Sequence, residues 1–125
     1  MFMNPRYRHV TVKNAELIVR DFRRVVEEHY RDSELDLATL ASRMDMSERQ
    51  LQRKLKKSSG QSPSEFLRNY RLSRSLELIL SGESIHDTAL AVGFSSQAYF
   101  ASCFKAQYGR TPTEYRELGK AADRP

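Results

Sequence analysis

The segment Ser62-Pro63-Ser64-Glu65-Phe66 returns forty-nine residues later as Thr111-Pro112-Thr113-Glu114-Tyr115. This internal repeat constrains the fold more than any other feature, because it means that one supersecondary unit occurs twice. Reading backwards from each copy, Leu51, Leu55, Lys56 and Gly60 pair with Phe100, Phe104, Lys105 and Gly109 at the same offset. Further upstream the offset drops to forty-eight, pairing Ala41, Asp45, Met46 and Ser47 with Ala89, Gly93, Phe94 and Ser95. That register places one extra residue of the second copy between Ser95 and Phe100. Each copy reads as a short apolar-periodic helix, a tight turn, a second helix opened by a serine, and a glycine stop. This is the order of a helix-turn-helix.

The apolar spacing carries the rest of an all-α reading with about seven helices. Residues 1–13 hold Pro5 and no sustained period and read as a tail or linker, ahead of a domain spanning residues 14–118. Leu17, Ile18, Phe22, Val25 and Val26 follow helical spacing, with His29 or Tyr30 closing the face of a supporting helix. Asp36 caps the first helix of a helix-turn-helix over about 37–58, where Leu37, Leu40, Ala41 and Met44 face inward. Ser47 and Gln50 form a capping box, so the next helix starts there, buries Leu51 and Leu55, and leaves Glu48, Arg49, Gln50, Gln52, Arg53 and Lys56 on an exposed arc. Ser62, Pro63 and Glu65 open a linking helix over about 63–80. At ~1.5 Å per residue it spans about 27 Å, near the ~34 Å between successive major-groove faces of a duplex. The second helix-turn-helix covers about 85–108, with Ser84 and Asp87 capping, Ile85, Ala89, Leu90 and Val92 packing, and Gly93 permitting a positive φ in the turn. Its second helix, from Ser95 to Tyr108, is expected to bury Phe100, Cys103 and Phe104 and to expose Ser96, Gln97, Ala98, Ala101, Ser102 and Lys105. A short helix from Thr111-Pro112 through Arg116 closes the domain, and residues 119–125 read as a frayed tail.

Charge narrows the partner. The chain carries 21 Lys and Arg against 16 acidic residues, net +5. Between Ser47 and Arg74, eight cations face only Glu48 and Glu65, a window of +6 that leaves the remainder at −1. Such a run is either a solvated helical face or a nucleic-acid contact, and its position on the second helix of a helix-turn-helix favours double-stranded DNA. Arginine binds guanine O6 and N7 bidentately, glutamine does the same for adenine N6 and N7, and lysine neutralises phosphate. The first recognition helix holds all three types, with Lys57 among the phosphate contacts. Ser47 and Ser95 leave capped helix N-termini suited to phosphate. For Arg68, Arg71 and Arg74, phosphate contact and simple solvation or acid pairing of the linking helix both stay open.

Ala89-Leu90-Ala91-Val92-Gly93-Phe94-Ser95, Tyr99-Phe100, Phe104-Lys105, Gly109, Thr111-Pro112 and Tyr115-Arg116 closely resemble the signature of the AraC/XylS family of bacterial transcription regulators. The first copy is similar to that family's more variable half, and Arg71-Leu72 matches its linking helix. The resemblance implies two helix-turn-helix subdomains joined by a long helix, each placing a recognition helix in a neighbouring major-groove segment of one asymmetric site. It also implies activation through contact with RNA polymerase, and an effector or receiver domain upstream, so that the chain reads as the C-terminal portion of a longer regulator. The positions matching the family's contacts are Arg49, Gln50, Gln52, Arg53 and Lys56 in the first copy and Ser96, Gln97, Ala98, Ser102 and Lys105 in the second. The family commonly has arginine at the position of Ser102, which predicts a weaker second contact.

Other functions find little support. A Gly-rich phosphate loop, a plausible triad and a metal-ligand spacing are all missing from the sequence, which argues against an enzyme or a cofactor. Cys103 reads as a buried structural thiol, and His9, His29 and His86 stand on separate elements. No apolar run is long enough to span a membrane, and the chain is expected to be soluble and cytoplasmic. The competing reading is an architectural or protein-interaction module that uses the same two lobes without reading bases.

Overall fold

The computed structural model describes residues 12–122, which form seven α-helices and, among the described residues, no strand. In chain order these are α1 (Val12–His29), α2 (Leu37–Arg43), α3 (Glu48–Ser59), α4 (Pro63–Leu80), α5 (Ile85–Ala91), α6 (Gln97–Tyr108) and α7 (Pro112–Ala122). The tail reading of residues 1–11 and 123–125 lies outside the described residues. Two ends differ from the sequence reading. α1 begins at Val12 rather than Asn14, and α7 runs past Arg116 and through Gly119 to Ala122. The C-terminal extension adds Leu118 as its one large apolar side chain, too little for periodicity to reveal.

The chain divides into two compact units. Among the described residues, one holds 12–29 together with 34–67 and the other holds 30–33 and 68–122, so α4 contributes to both. In the first unit α1 and α2 pack on α3. Phe22, Val26, Leu40, Leu51 and Leu55 are buried, and the Phe22 ring meets Phe66 edge-on at 5.1 Å. Asp21 is also buried. In the second unit α6 packs on α5 and α7. There the two leucines of α3 are replaced by Phe100 and Phe104, which continue an aromatic series from Phe94 (5.2 Å to Phe100) to Tyr115 (5.7 Å from Phe104). Truncating either phenylalanine to alanine would cost about 3–5 kcal/mol.

Local chemistry sets each helix boundary. The Asp36 carboxylate accepts the Thr39 amide at 2.8 Å, and that hydrogen bond holds its pKa below the ordinary aspartate value. Ser47 and Gln50 complete a reciprocal capping box at 3.1 Å in both directions. Ser62 with Glu65 and Thr111 with Glu114 repeat the device at the starts of α4 and α7. Gly60 and Gly109 end α3 and α6 in the left-handed conformation.

Candidate nucleic-acid interface

Both helix-turn-helix turns are built by the same backbone hydrogen bonds. The Met46 amide donates to the Ala41 carbonyl at 3.0 Å and Asp45 to Ser42 at 3.1 Å; forty-eight residues on, Phe94 donates to Ala89 at 2.9 Å and Gly93 to Leu90 at 3.1 Å. This is the bond pair that terminates a helix through one left-handed residue. That residue is Asp45 (φ 56°) in the first turn and Gly93 (φ 100°) in the second. Aspartate tolerates the conformation because its short polar side chain bonds locally.

Gly93 has a second reason to be glycine. A β-carbon there would collide with the Tyr30 carbonyl oxygen and come within 2.7 Å of Arg71 Nε. Arg71 occupies that space because its Nε donates to the Tyr30 carbonyl and its Nη2 to the Asp32 carbonyl, both at 2.8 Å. Burial lowers its pKa, with Asp32 and Tyr99 acting against that shift, and the guanidinium stays charged. Arg71 therefore ties the linking helix to the α1–α2 connection. Arg116 does the same after the second copy, donating from Nε to the Ile79 carbonyl at 2.7 Å and from Nη2 to the Glu83 carbonyl. Sequence reasoning left Arg71 open among three arginines and gave Arg116 no role. Only the fold brings carbonyls 33 to 41 positions away in sequence to these side chains.

The α3 arc is laid out with Leu51 and Leu55 fully buried and Glu48, Arg49, Gln50, Gln52, Arg53, Lys56 and Lys57 exposed. Lys54 is half-buried instead of lying on that arc. Gln50 spends its side-chain oxygen on the cap, and Lys56 Nζ lies 3.7 Å from Glu65. Both partners of that pair are largely solvated, so it is worth little and opens readily toward a phosphate.

The second helix corrects the sequence reading. Its N-cap is Ser96, whose hydroxyl accepts the Tyr99 amide at 3.1 Å, and α6 begins at Gln97. Ser95 lies in the turn, so the residue inserted in the second copy is Ser95 itself and the forty-nine offset extends back to pair Ser47 with Ser96. The turns consequently hold two residues in the first copy and three in the second. On this register Arg49 pairs with Ala98, Arg53 with Ser102 and Lys56 with Lys105.

Gln97, Ala98, Ser102 and Lys105 are exposed, whereas Ala101 and Cys103 are half-buried, so Cys103 is not the core thiol expected. Leu90, assigned to packing, is 47% exposed, and Tyr99 is 54% exposed while its ring leans on Phe94 at 5.7 Å. Among the described residues no group of His, Cys, Asp and Glu is arranged to hold a metal, and no helix is long and apolar enough to cross a membrane.

Two capped helix-turn-helix units, one with an exposed basic second helix, define a nucleic-acid-binding class of protein. A family model described as a helix-turn-helix domain matches residues 40–118. The transcriptional regulator GadX of Escherichia coli O6:H1 is 42% identical over 85 residues, covering 67% of this chain but only 31% of GadX. The probable transcription factor PqrA of Proteus vulgaris is 34% identical over 111 residues, covering 87% of this chain and 91% of PqrA. Among solved structures, the DNA-binding domain of the global transcriptional factor AdpA, in complex with a target DNA, superposes with a TM-score of 0.76 at 26% identity, covering 85% of this chain and 95% of that one. The chain belongs to the AraC family of transcription regulators and carries its helix-turn-helix DNA-binding domain.

Proposed function

We propose that residues 14–118 form a sequence-specific DNA-binding unit that activates transcription, with α3 and α6 entering adjacent major-groove segments of one asymmetric site. The observation that carries this reading is the exposed α3 arc, where Arg49, Gln52 and Arg53 stand free of the core on a helix held rigid by Leu51 and Leu55. Arg53 and Gln52 read bases, Arg49, Lys56 and Lys57 hold phosphates, and the amides beside Glu48 at the Ser47-capped end of α3 fix register. On α6, Gln97, Ala98, Ser102 and Lys105 make a lighter contact, with Ser96 and Ser95 at its entry. AdpA in complex with its target DNA supports the mode of binding. Activation then requires a contact with RNA polymerase, and an effector or receiver domain of a longer regulator supplies the signal. The place of action is the bacterial cytoplasm.

Selection of a binding site from random duplexes, followed by titration of variants on the selected and on scrambled DNA, tests the reading. Arg53→Ala should cost about 1–3 kcal/mol on the selected site and relax one base position, while Lys57→Ala should weaken both duplexes alike. Equal losses from both variants on both duplexes would mean that α3 binds without reading bases.

A further inference from the structure

A groove of about 470 Å³ opens in the second unit, bounded by Tyr30 and Arg31 of the α1–α2 connection, by Arg74, Glu77 and Leu78 of α4, and by the end of α5 at Ala91 and Val92. Tyr30 is 7% exposed and rigidly held. Its ring lies edge-on to Tyr70 at 5.1 Å and its carbonyl accepts from Arg71. Arg31 Nε donates to the Tyr30 hydroxyl at 3.2 Å, and Arg74 lines the same groove. Burial raises the Tyr30 pKa, but the two guanidinium neighbours outweigh it and bring the phenol below its ordinary value. A phenol oxygen has two lone pairs and one proton. Arg31 takes one lone pair, which leaves the phenol its proton to donate.

The groove thus gathers the Tyr30 hydroxyl and two guanidinium groups, three donor groups lining one cavity. We propose that it binds the carboxylate of an aspartate or glutamate carried on an apolar-flanked segment of a partner protein. A carboxylate has two oxygens and about four acceptor sites, which suits this donor set. Leu78, Ala91 and Val92 offer apolar walls to the residues beside that carboxylate. Duplex DNA fits poorly, because it brings one charge about every 1.7 Å of its axis past the acidic Glu77 in the lining, whereas a single carboxylate meets two arginines against that one acid.

The test is a titration of the isotope-labelled chain, followed by NMR, with acetyl-Leu-Glu-Leu-amide, its Leu-Gln-Leu counterpart and inorganic phosphate. The glutamate peptide should shift the Arg74 Nε–H and Val92 amide signals to saturation, binding roughly tenfold or more tightly than the glutamine peptide, as a charge-assisted pair requires. Arg74→Gln and, separately, Arg31→Gln should each abolish that preference while leaving the remaining amide spectrum intact and the duplex affinity and salt slope unchanged. Equal shifts from both peptides, a preference for phosphate, or no saturable shift would overturn the proposal. So would a loss of duplex affinity with a shallower salt slope in Arg74→Gln, which would make Arg74 a phosphate contact.

Discussion

The left-handed residues of the two turns show how much a single position can carry. Asp45 and Gly93 occupy the same left-handed site in the two copies, yet only Gly93 is pressed against a carbonyl and a guanidinium. Gly93→Ala should therefore cost roughly 2–4 kcal/mol in urea denaturation, combining backbone strain with displacement of Arg71. Gly60→Ala, where a β-carbon would meet open space, should cost only about 1–2 kcal/mol from φ alone. Equal costs would show that close approach is not what fixes Gly93. The adjacent serines make a second contrast. Ser96→Ala removes the acceptor for the Tyr99 amide and should cost about 1 kcal/mol, while Ser95→Ala, in the turn, should fall within about 0.5 kcal/mol of the parent. A larger loss from Ser95→Ala would return the cap to the position first read from the sequence.

At the level of elements, α3 and α6 are the same device with different contents. Each has two buried side chains one turn apart, a serine N-cap and a left-handed glycine stop, and all but the serine that caps α6 were legible from the sequence. Their exposed faces differ: α3 presents Arg49, Arg53, Lys56 and Lys57, and α6 presents Lys105. On the corrected register Ser102 is the counterpart of Arg53. Ser102→Arg should bind the selected site more tightly with a steeper salt slope, and Ser102→Ala should change affinity little, since a hydroxyl makes one short and permissive contact. If Ser102→Ala proves as damaging as Arg53→Ala, the division of labour between the two helices is wrong. The start of α6 was misread for a physical reason. Ser95 and Ser96 are both competent caps, and the choice between them is made by where Phe100 must point to reach the core, which the offset of forty-nine encodes and the local motif does not.

For the whole molecule the decisive quantity is the placement of charge, not its total. Net +5 is modest, but eight of the cations fall between Ser47 and Arg74, and four of the five on α3 are exposed. Duplex affinity should fall by about 0.9 log units per log unit of salt for each phosphate neutralised, and Lys57→Ala should lower that slope by about one unit. A salt-independent affinity would remove the electrostatic basis of the interface. By itself the sequence determined the helix order, the caps at Asp36, Ser47, Ser62 and Ser84, the glycine stops and the polar arc of α3, because these are local: a cap needs three residues and an amphipathic face needs a few turns. The tertiary structure alone decided what Arg71 and Arg116 do, which serine caps α6, why Gly93 admits no side chain, and how far Cys103, Leu90 and Tyr99 are exposed. Each of those depends on groups that lie far apart in the chain or on neighbouring helices, and only packing brings such groups within hydrogen-bonding or van der Waals distance.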